Sequence, residues 1–347
     1  MEMVVLGYSV IEDRRSLQVP LTQWAQANGH ALRAFGFGGL NLQYMPHMLD
    51  IVADQVDLTD RVLILDVCTP RERDWFGQRR ARYDRLLLEI ADRLAAYRCR
   101  PVFLYLYRSD ANPEDDPFRD FLGAFAARHG IVEVDLARAV HDHVAGGGAA
   151  SDLFRDVVHT TPEGADFYMR HLEAAMPDIL SAPVMPVPAE PYARAYRTLA
   201  AAALADVAQA GLEVSAVPTR HGFDLSCVVV REGQTLTATF EAETVVGGTF
   251  VASALVLAGP ESGAMAVTTD GEATGAPFEA FDEYSYYPHV ATPPLARLVQ
   301  TSLSLTTLAG TPPTARLSKG EWAKGPRVNR ISHLLIAPRP KAFGGTG

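Results

Sequence analysis

The sequence is short of cysteine, of long apolar runs and of clustered basic charge, and each shortage removes a class of function. Cys68, Cys99 and Cys227 are its only cysteines. They are odd in number and far apart, with no CxxC or Cys/His cluster, so neither a disulfide framework nor a cysteine metal site is expected. Each reads as a reduced, buried thiol. No stretch approaches the roughly 20 apolar residues of a membrane-spanning helix, and the opening "MEMVVLGYS" has no basic targeting region. A cytoplasmic location is therefore the default expectation. The net charge is −10 with both signs scattered, which argues against nucleic-acid and membrane partners and leaves a small molecule or glycan. The run "GGGAAS", residues 146–151, lacks the Lys and Ser/Thr of a phosphate-binding loop and reads as a flexible lid. "HDH", residues 141–143, has metal-ligand residue types, but side chains two apart on a helix diverge and no carboxylate cluster completes a site.

With 347 residues, 48% hydrophobic and 21% charged, the chain has the composition of a folded protein with two sizeable cores. From residue 3 to about 177, short β-branched runs alternate with helical periods. Strands are expected at Met3 to Gly7, Ala31 to Gly36, Arg61 to Val67, Pro101 to Tyr107 and Ile131 to Val134. Between them, Tyr83, Leu87, Ile90 and Leu94 form the stripe of a helix packed on a sheet. The alternation predicts an α/β/α sandwich around a five-stranded parallel sheet, with its ligand site at the carboxyl ends of the strands.

The segment "SAPVMPVPAEP", residues 181–191, has four prolines in eleven residues and reads as a semi-rigid linker between an α/β domain, 1–180, and a second domain, 192–347. The second begins with an Ala-rich helix expected over about Tyr192 to Ala210. Strands follow around a turn at Glu232-Gly233, read as a hairpin, and at Thr249 to Leu257, Ala264 to Thr269, Val299 to Thr307 and Arg330 to Ile336. Strands without long intervening helices predict a β-sandwich of jelly-roll type. The tail "PRPKAFGGTG" reads as loose.

The chemistry concentrates in "FRDVVHTTPEGADFYMRHL", residues 154–172. Thr161 suits an N-cap and Pro162 the first helical position, while Ala165, Tyr168, Met169, Leu172 and Met176 form the buried stripe. Asp156 and His159 then sit on the loop entering the last helix of the α/β domain. A carboxylate there can fix the imidazole's tautomer and stabilise the imidazolium formed in proton transfer. At the end of the first strand "VVLGYS" presents Ser9, a hydroxyl that needs such a base to become nucleophilic. The second strand ends in "AFGFGG", where Gly36, Gly38 and Gly39 let backbone approach a ligand and point an N–H at an oxyanion.

These blocks, over roughly residues 1 to 178, resemble the SGNH hydrolases, also called GDSL esterases. Ser9 in "GYS" matches the first block, Gly39 in "GFGG" the second, and Asp156 with His159 in "DVVH" the last. The resemblance implies a flavodoxin-like fold, a Ser9-His159-Asp156 catalytic site with the N–H groups of Ser9 and Gly39 as oxyanion donors, and no metal or organic cofactor. The sequence departs from the pattern twice. Tyr8 replaces the usual Asp before the serine. After the third strand, "LILDVCTPRERD" places Pro70, or Thr69 or Cys68, where the family has an Asn, and losing such a donor typically costs about 2.7–4 kcal/mol of barrier. Arg71 and Arg73 are the candidates to replace it.

In the second domain Tyr284, Tyr286, Tyr287 and His289 read equally as an aromatic platform for sugar rings and as a buried cluster. A jelly roll beside an SGNH-like domain resembles carbohydrate esterases. The expected function is therefore hydrolysis of an O-acyl, above all O-acetyl, ester of a carbohydrate or glycoconjugate. The alternatives are O-acyl transfer from a donor such as acetyl-CoA at the same site, and a non-catalytic chain that binds a glycan or protein.

Overall fold

The computed structural model of the protein describes every residue except 69–72, 113, 188–194, 205–206, 208–209, 220–222, 241–247, 310–315 and 339–347, and the side chains of 73–75 and 78. It divides into two compact units, Met1–Ala193 and Arg194–Gly347.

The first unit runs β1 (Glu2–Gly7), α1 (Ser9–Glu12), α2 (Gln18–Ala27), β2 (Ala31–Gly36), α3 (Met45–Ala53), β3 (Val62–Asp66) and α4 (Arg73–Ala96). It continues with β4 (Arg100–Tyr105), α5 (Pro117–His129), β5 (Val132–Asp135), α6 (Leu136–Ala145), α7 (Ala150–Leu153) and α8 (Pro162–Leu180). All five strands are parallel, in the order β2-β1-β3-β4-β5, the flavodoxin-like sheet. Helices cover both faces, so the strands read as continuous apolar runs: all five residues of β3, Val-Leu-Ile-Leu-Asp, are buried. On one face Val5, Ile64, Val102 and Val134 share a core with Leu21, Val140 and Leu172 of α2, α6 and α8. From the alternate positions, Phe103 stacks on Phe125 of α5 with ring centres 6.4 Å apart. Tyr83, Leu87, Ile90 and Leu94 of α4 are buried as their spacing predicts. The strand order reverses around β1, which puts the topological switch point beside the turn from β1 into α1.

The second unit runs β6 (Arg197–Ala200), α9 (Ala201–Leu204), β7 (Glu213–Pro218), β8 (Asp224–Arg231), β9 (Thr235–Thr239), β10 (Thr249–Ala258) and β11 (Ala264–Thr269). Then come β12 (Glu272–Ala273), β13 (Phe278–Glu279), β14 (His289–Ala291), β15 (Pro294–Val299), β16 (Ser302–Thr307) and β17 (Val328–Ile336). One antiparallel sheet is ordered β14-β10-β17-β8-β7, with β15 on β10 and β6 on β17; the other is β12-β11-β16-β9, with β13 on β11. Their inner faces share one core: Val228, Val230, Val256 and Ile331 from the first sheet meet Leu236, Met265, Val267 and Leu305 from the second. This is a β-sandwich.

Four expectations change. The described part of the Ala-rich stretch is not one helix. Arg197–Ala200 is a strand paired with β17, Leu199 opposite Leu334, and only Ala201–Leu204 is helical; pairing and a shared apolar core override alanine's helix preference. Glu232-Gly233 is a turn, with Gly233 at φ +78°, but no hairpin: β8 belongs to one sheet and β9 to the other, so the chain changes layer there. "GGGAAS" is no separate lid in this fold. The N–H groups of Gly146, Gly147 and Gly148 bond to Asp142, Val144 and His143 carbonyls and finish α6. In the proline-rich segment, Ala182 and Met185 are buried and the Met185 N–H donates to the Cys99 carbonyl at 2.9 Å, so its first half is fixed to the first unit. Residues 188–191 of that segment and 339–347 of the tail lie outside the described residues.

Candidate active site

Ser9 follows β1 after one residue, Tyr8, and opens α1, a single helical turn. The turn is tight because of glycine. A Cβ on Gly7 would sit 2.6 Å from Ile11 and 2.7 Å from the Asp66 side chain, and one on Gly36 only 2.4 Å from the Glu12 Cα. Neither position admits a side chain, so α1 lies directly on the end of β2. Ser9 is half-buried, and Tyr8 supplies no side-chain cap to the first N–H groups of α1, which among the described residues leaves them open. Gly39 lies just beyond β2, exposed, at φ +78°, a left-handed conformation that favours glycine. Among the described residues no hydrogen bond occupies its N–H.

Asp156 and His159 lie on the loop between α7 and α8. Thr161 caps α8 by accepting from the Gly164 N–H at 3.1 Å, and Pro162 stands in its first turn. The Asp156 carboxylate accepts from the backbone N–H groups of Val158 and His159 at 3.0 and 2.8 Å, and its two oxygens lie 3.0 and 2.9 Å from His159 Nδ1. Burial works against ionisation of Asp156, but the two backbone N–H groups and the His159 ring outweigh it and hold the carboxyl below its ordinary range. A carboxylate can only accept, so Nδ1 carries the proton and Nε2 is left as the basic nitrogen.

The fold brings this loop against α1. The Arg155 guanidinium forms an ion pair with Asp13, the residue that ends α1, and Thr160 Oγ1 donates to Ser16 Oγ at 2.9 Å. Ser9 and His159 thus stand on segments joined to each other, without a direct hydrogen bond between them among the described residues. Such bonds commonly tighten only with substrate in place.

At the third block, Thr69, Pro70 and Arg71 lie outside the described residues, as does the Arg73 side chain. Cys68 is a buried free thiol in a small crevice with Tyr107, Arg108, Asp116 and Arg119 at the carboxyl ends of the strands. The guanidinium groups there face carboxylates: Arg108 bonds Asp110 through two nitrogens, and Arg119 pairs with Asp135. Reading the sequence missed Glu12, Asp13 and Arg155 as neighbours of the site, because nothing local distinguishes an ion pair made across 142 residues. His143 packs against Phe167, ring centres 5.2 Å apart.

In the second unit Tyr284 is exposed, while Tyr286 and Tyr287 are half-buried and meet edge to face at 4.8 Å. With Pro218, Thr219 and Pro288 they line a pocket of ≈ 510 Å³. His289 lies beneath, its Nδ1 on the Tyr287 carbonyl and its Nε2 on Asp282, both at 3.1 Å.

No protein-family model and no curated protein matches this sequence. Solved structures do match. A two-domain esterase active on acetylated mannans superposes with TM-score 0.57 at 11% identity, over 98% of this chain and 92% of that one. The same kind of esterase co-crystallised with mannopentaose gives TM-score 0.58 at 12% identity, over 99% and 91%. The chain shares their two-domain fold. A member of the lipolytic G-D-S-L family from Veillonella parvula aligns with 51% of this chain and 98% of its own, at 19% identity and TM-score 0.41. At these identities the likeness is one of fold. No helix among the described residues is long and apolar enough to cross a membrane.

Proposed function

We propose that the protein is a serine esterase that removes an O-acyl group, most simply O-acetyl, from a carbohydrate or glycoconjugate. The observation that carries this reading is the Asp156–His159 pair, held at 2.9 Å on a loop joined to the turn that begins with Ser9. The shared fold of an esterase active on acetylated mannans supports the substrate class.

In this reading His159 Nε2 takes the proton of Ser9 Oγ as the oxygen bonds to the ester carbonyl carbon. The N–H groups of Ser9 and Gly39 receive the developing oxyanion, and Asp156 stabilises the imidazolium. The tetrahedral intermediate collapses with cleavage of the bond to the sugar oxygen, which leaves with the proton from His159. Water, deprotonated by His159, then adds to the acyl-serine; Ser9 recovers its proton and the carboxylic acid departs. A sugar hydroxyl in place of water would make the same site an acyltransferase, with an acyl donor as its partner.

The second reading is a chain of this fold that binds a glycan or protein without turnover. The specific observations in its favour are the tyrosine-lined pocket and the missing direct bond between Ser9 and His159. Intact mass after exposure to a fluorophosphonate separates the two. The esterase reading expects one adduct in the wild type that Ser9→Ala and His159→Ala both lack; a wild type that takes no adduct overturns it.

A further inference from the structure

We propose that Asp13 and Arg155 form a positioning latch that sets His159 over Ser9, an inference that rests on the esterase reading. The DxxH loop is itself a closed miniature hairpin. Phe154 bridges Thr160, the Arg155 N–H donates to the His159 carbonyl at 3.0 Å, and the Thr161 N–H donates to the Leu153 carbonyl at 2.9 Å. Asp156 and its backbone hydrogen bonds stiffen the tip. Such a loop holds its internal shape, and the open question is what fixes it as a body relative to the nucleophile.

Three contacts do so: the Ser109 N–H donates to the Val157 carbonyl at 3.0 Å at the tip, and two others bracket the pair. Residue 155 precedes Asp156 and residue 160 follows His159; both reach the stretch that leaves α1. Thr160 and Ser16, each fully buried, make the inner contact at 2.9 Å. Arg155 and Asp13 make the outer one, with side chains 29% and 13% exposed, which leaves the ion pair only partly screened by water. Asp13 is in turn fixed to the nucleophile's own turn: its N–H donates to the Ser9 carbonyl at 2.9 Å. Its other carboxylate oxygen accepts the Arg15 N–H at 3.1 Å, which orients it toward Arg155. The shortest route from His159 back to Ser9 therefore runs through Arg155 and Asp13. The Val157 contact ties the tip to the segment after β4, and the two contacts on either side of the Asp-His pair set the loop's orientation toward α1. Displacements of about 1 Å at a reacting pair cost on the order of 100-fold in rate.

The two residues touch neither substrate nor the reacting atoms. Their effect falls on kcat through the placement of His159. The test uses the full chain with Asp13→Asn, Arg155→Met, Arg155→Lys and the charge-swapped pair Asp13→Arg/Arg155→Asp. Three readouts are taken: turnover with p-nitrophenyl acetate as the substrate, labelling by a fluorophosphonate, and hydrogen exchange of amides 155–161. Asp13→Asn and Arg155→Met are expected to lower kcat and labelling at least tenfold at unchanged KM, and to speed exchange of the loop while the core keeps its protection. Arg155→Lys stays within about threefold of wild type, and the swapped pair recovers most of the loss. Single variants with wild-type labelling and wild-type loop exchange would overturn the latch. If the wild type itself neither turns over nor labels, the esterase reading fails, and loop exchange alone decides whether the ion pair fixes the loop.

Discussion

The two units spend their polar groups in opposite places. In the first, the central strands β1, β3 and β4 are buried on both faces, so polar groups collect where the chain leaves the sheet: Ser9 after β1, Gly39 after β2, Asp156 and His159 before α8. In the second, antiparallel strands alternate buried with open positions, as in β9 and β16, and hydroxyls pair across the open face: Thr235 with Thr306 at 2.7 Å and Thr237 with Ser304 at 2.8 Å. There the carboxylates hold turns. Asp270 accepts three successive N–H groups, from Gln300, Thr301 and Ser302 at 2.9, 2.6 and 3.0 Å, and so ties one strand connection to another. A parallel sheet concentrates its reactive possibilities at one edge; a sandwich spreads its polar groups over faces and corners.

That contrast can be broken most forcefully at the first unit's edge. Ser9→Ala or His159→Ala is expected to reduce ester turnover by up to about 10⁶-fold, with Asp156→Asn smaller at around 10⁴-fold, in a steady-state assay on an acetylated sugar. All three should keep wild-type melting temperatures. Next comes Gly36→Ala. Its new methyl meets Glu12 backbone at 2.4 to 2.5 Å, which cannot yield by a side-chain rotation. Overpacking of about 1–3 kcal/mol, seen as a lower unfolding midpoint, should accompany loss of labelling, because α1 is displaced with Ser9.

Acid sharpens the comparison. Burial opposes ionisation of Asp270, but the backbone N–H groups of residues 300–302 and the Thr301 hydroxyl together outweigh it and bring it to about 2. A depressed carboxyl contributes stability above its unfolded value near 3.9, and the contribution is lost as pH falls toward the folded value. The β15–β16 turn should therefore keep its exchange protection at pH 4 and lose it as pH approaches 2. Asp270→Ala should remove that protection already at neutral pH, at a cost of a few degrees in melting temperature. Asp270→Asn should do less harm, since φ is +52° there and asparagine accepts left-handed backbone more readily than alanine. The smallest effect is expected where the units agree. Burial pushes the thiols of Cys99 in the first and Cys227 in the second up to about 12, so iodoacetamide at pH 8 should leave both unmodified in the folded protein.

The parallel sheet was legible because a strand buried on both faces needs an unbroken apolar run, as in "VLILD", and because each run ends at a turn. Asp156, His159 and the cap at Thr161 were legible because their relation is local. Local signals misled where partners are distant. Alanine speaks for helix at 197–200, yet Leu199 finds its neighbours on β17. Glu232-Gly233 announces a turn without saying which sheet the chain enters next. Arg155 looks like any surface arginine until the fold sets it on Asp13.

The join between Thr160 and Ser16 spans 144 residues of chain. A nascent chain therefore carries the turn that opens with Ser9 out of the ribosome long before the loop bearing His159 exists. At about 5–20 residues per second the delay is on the order of 7–29 s. In the proposed esterase reading, Ser9 has no activating partner during that interval. On that reading, reactivity awaits the completion of the domain, when the loop before α8 meets the stretch that leaves α1.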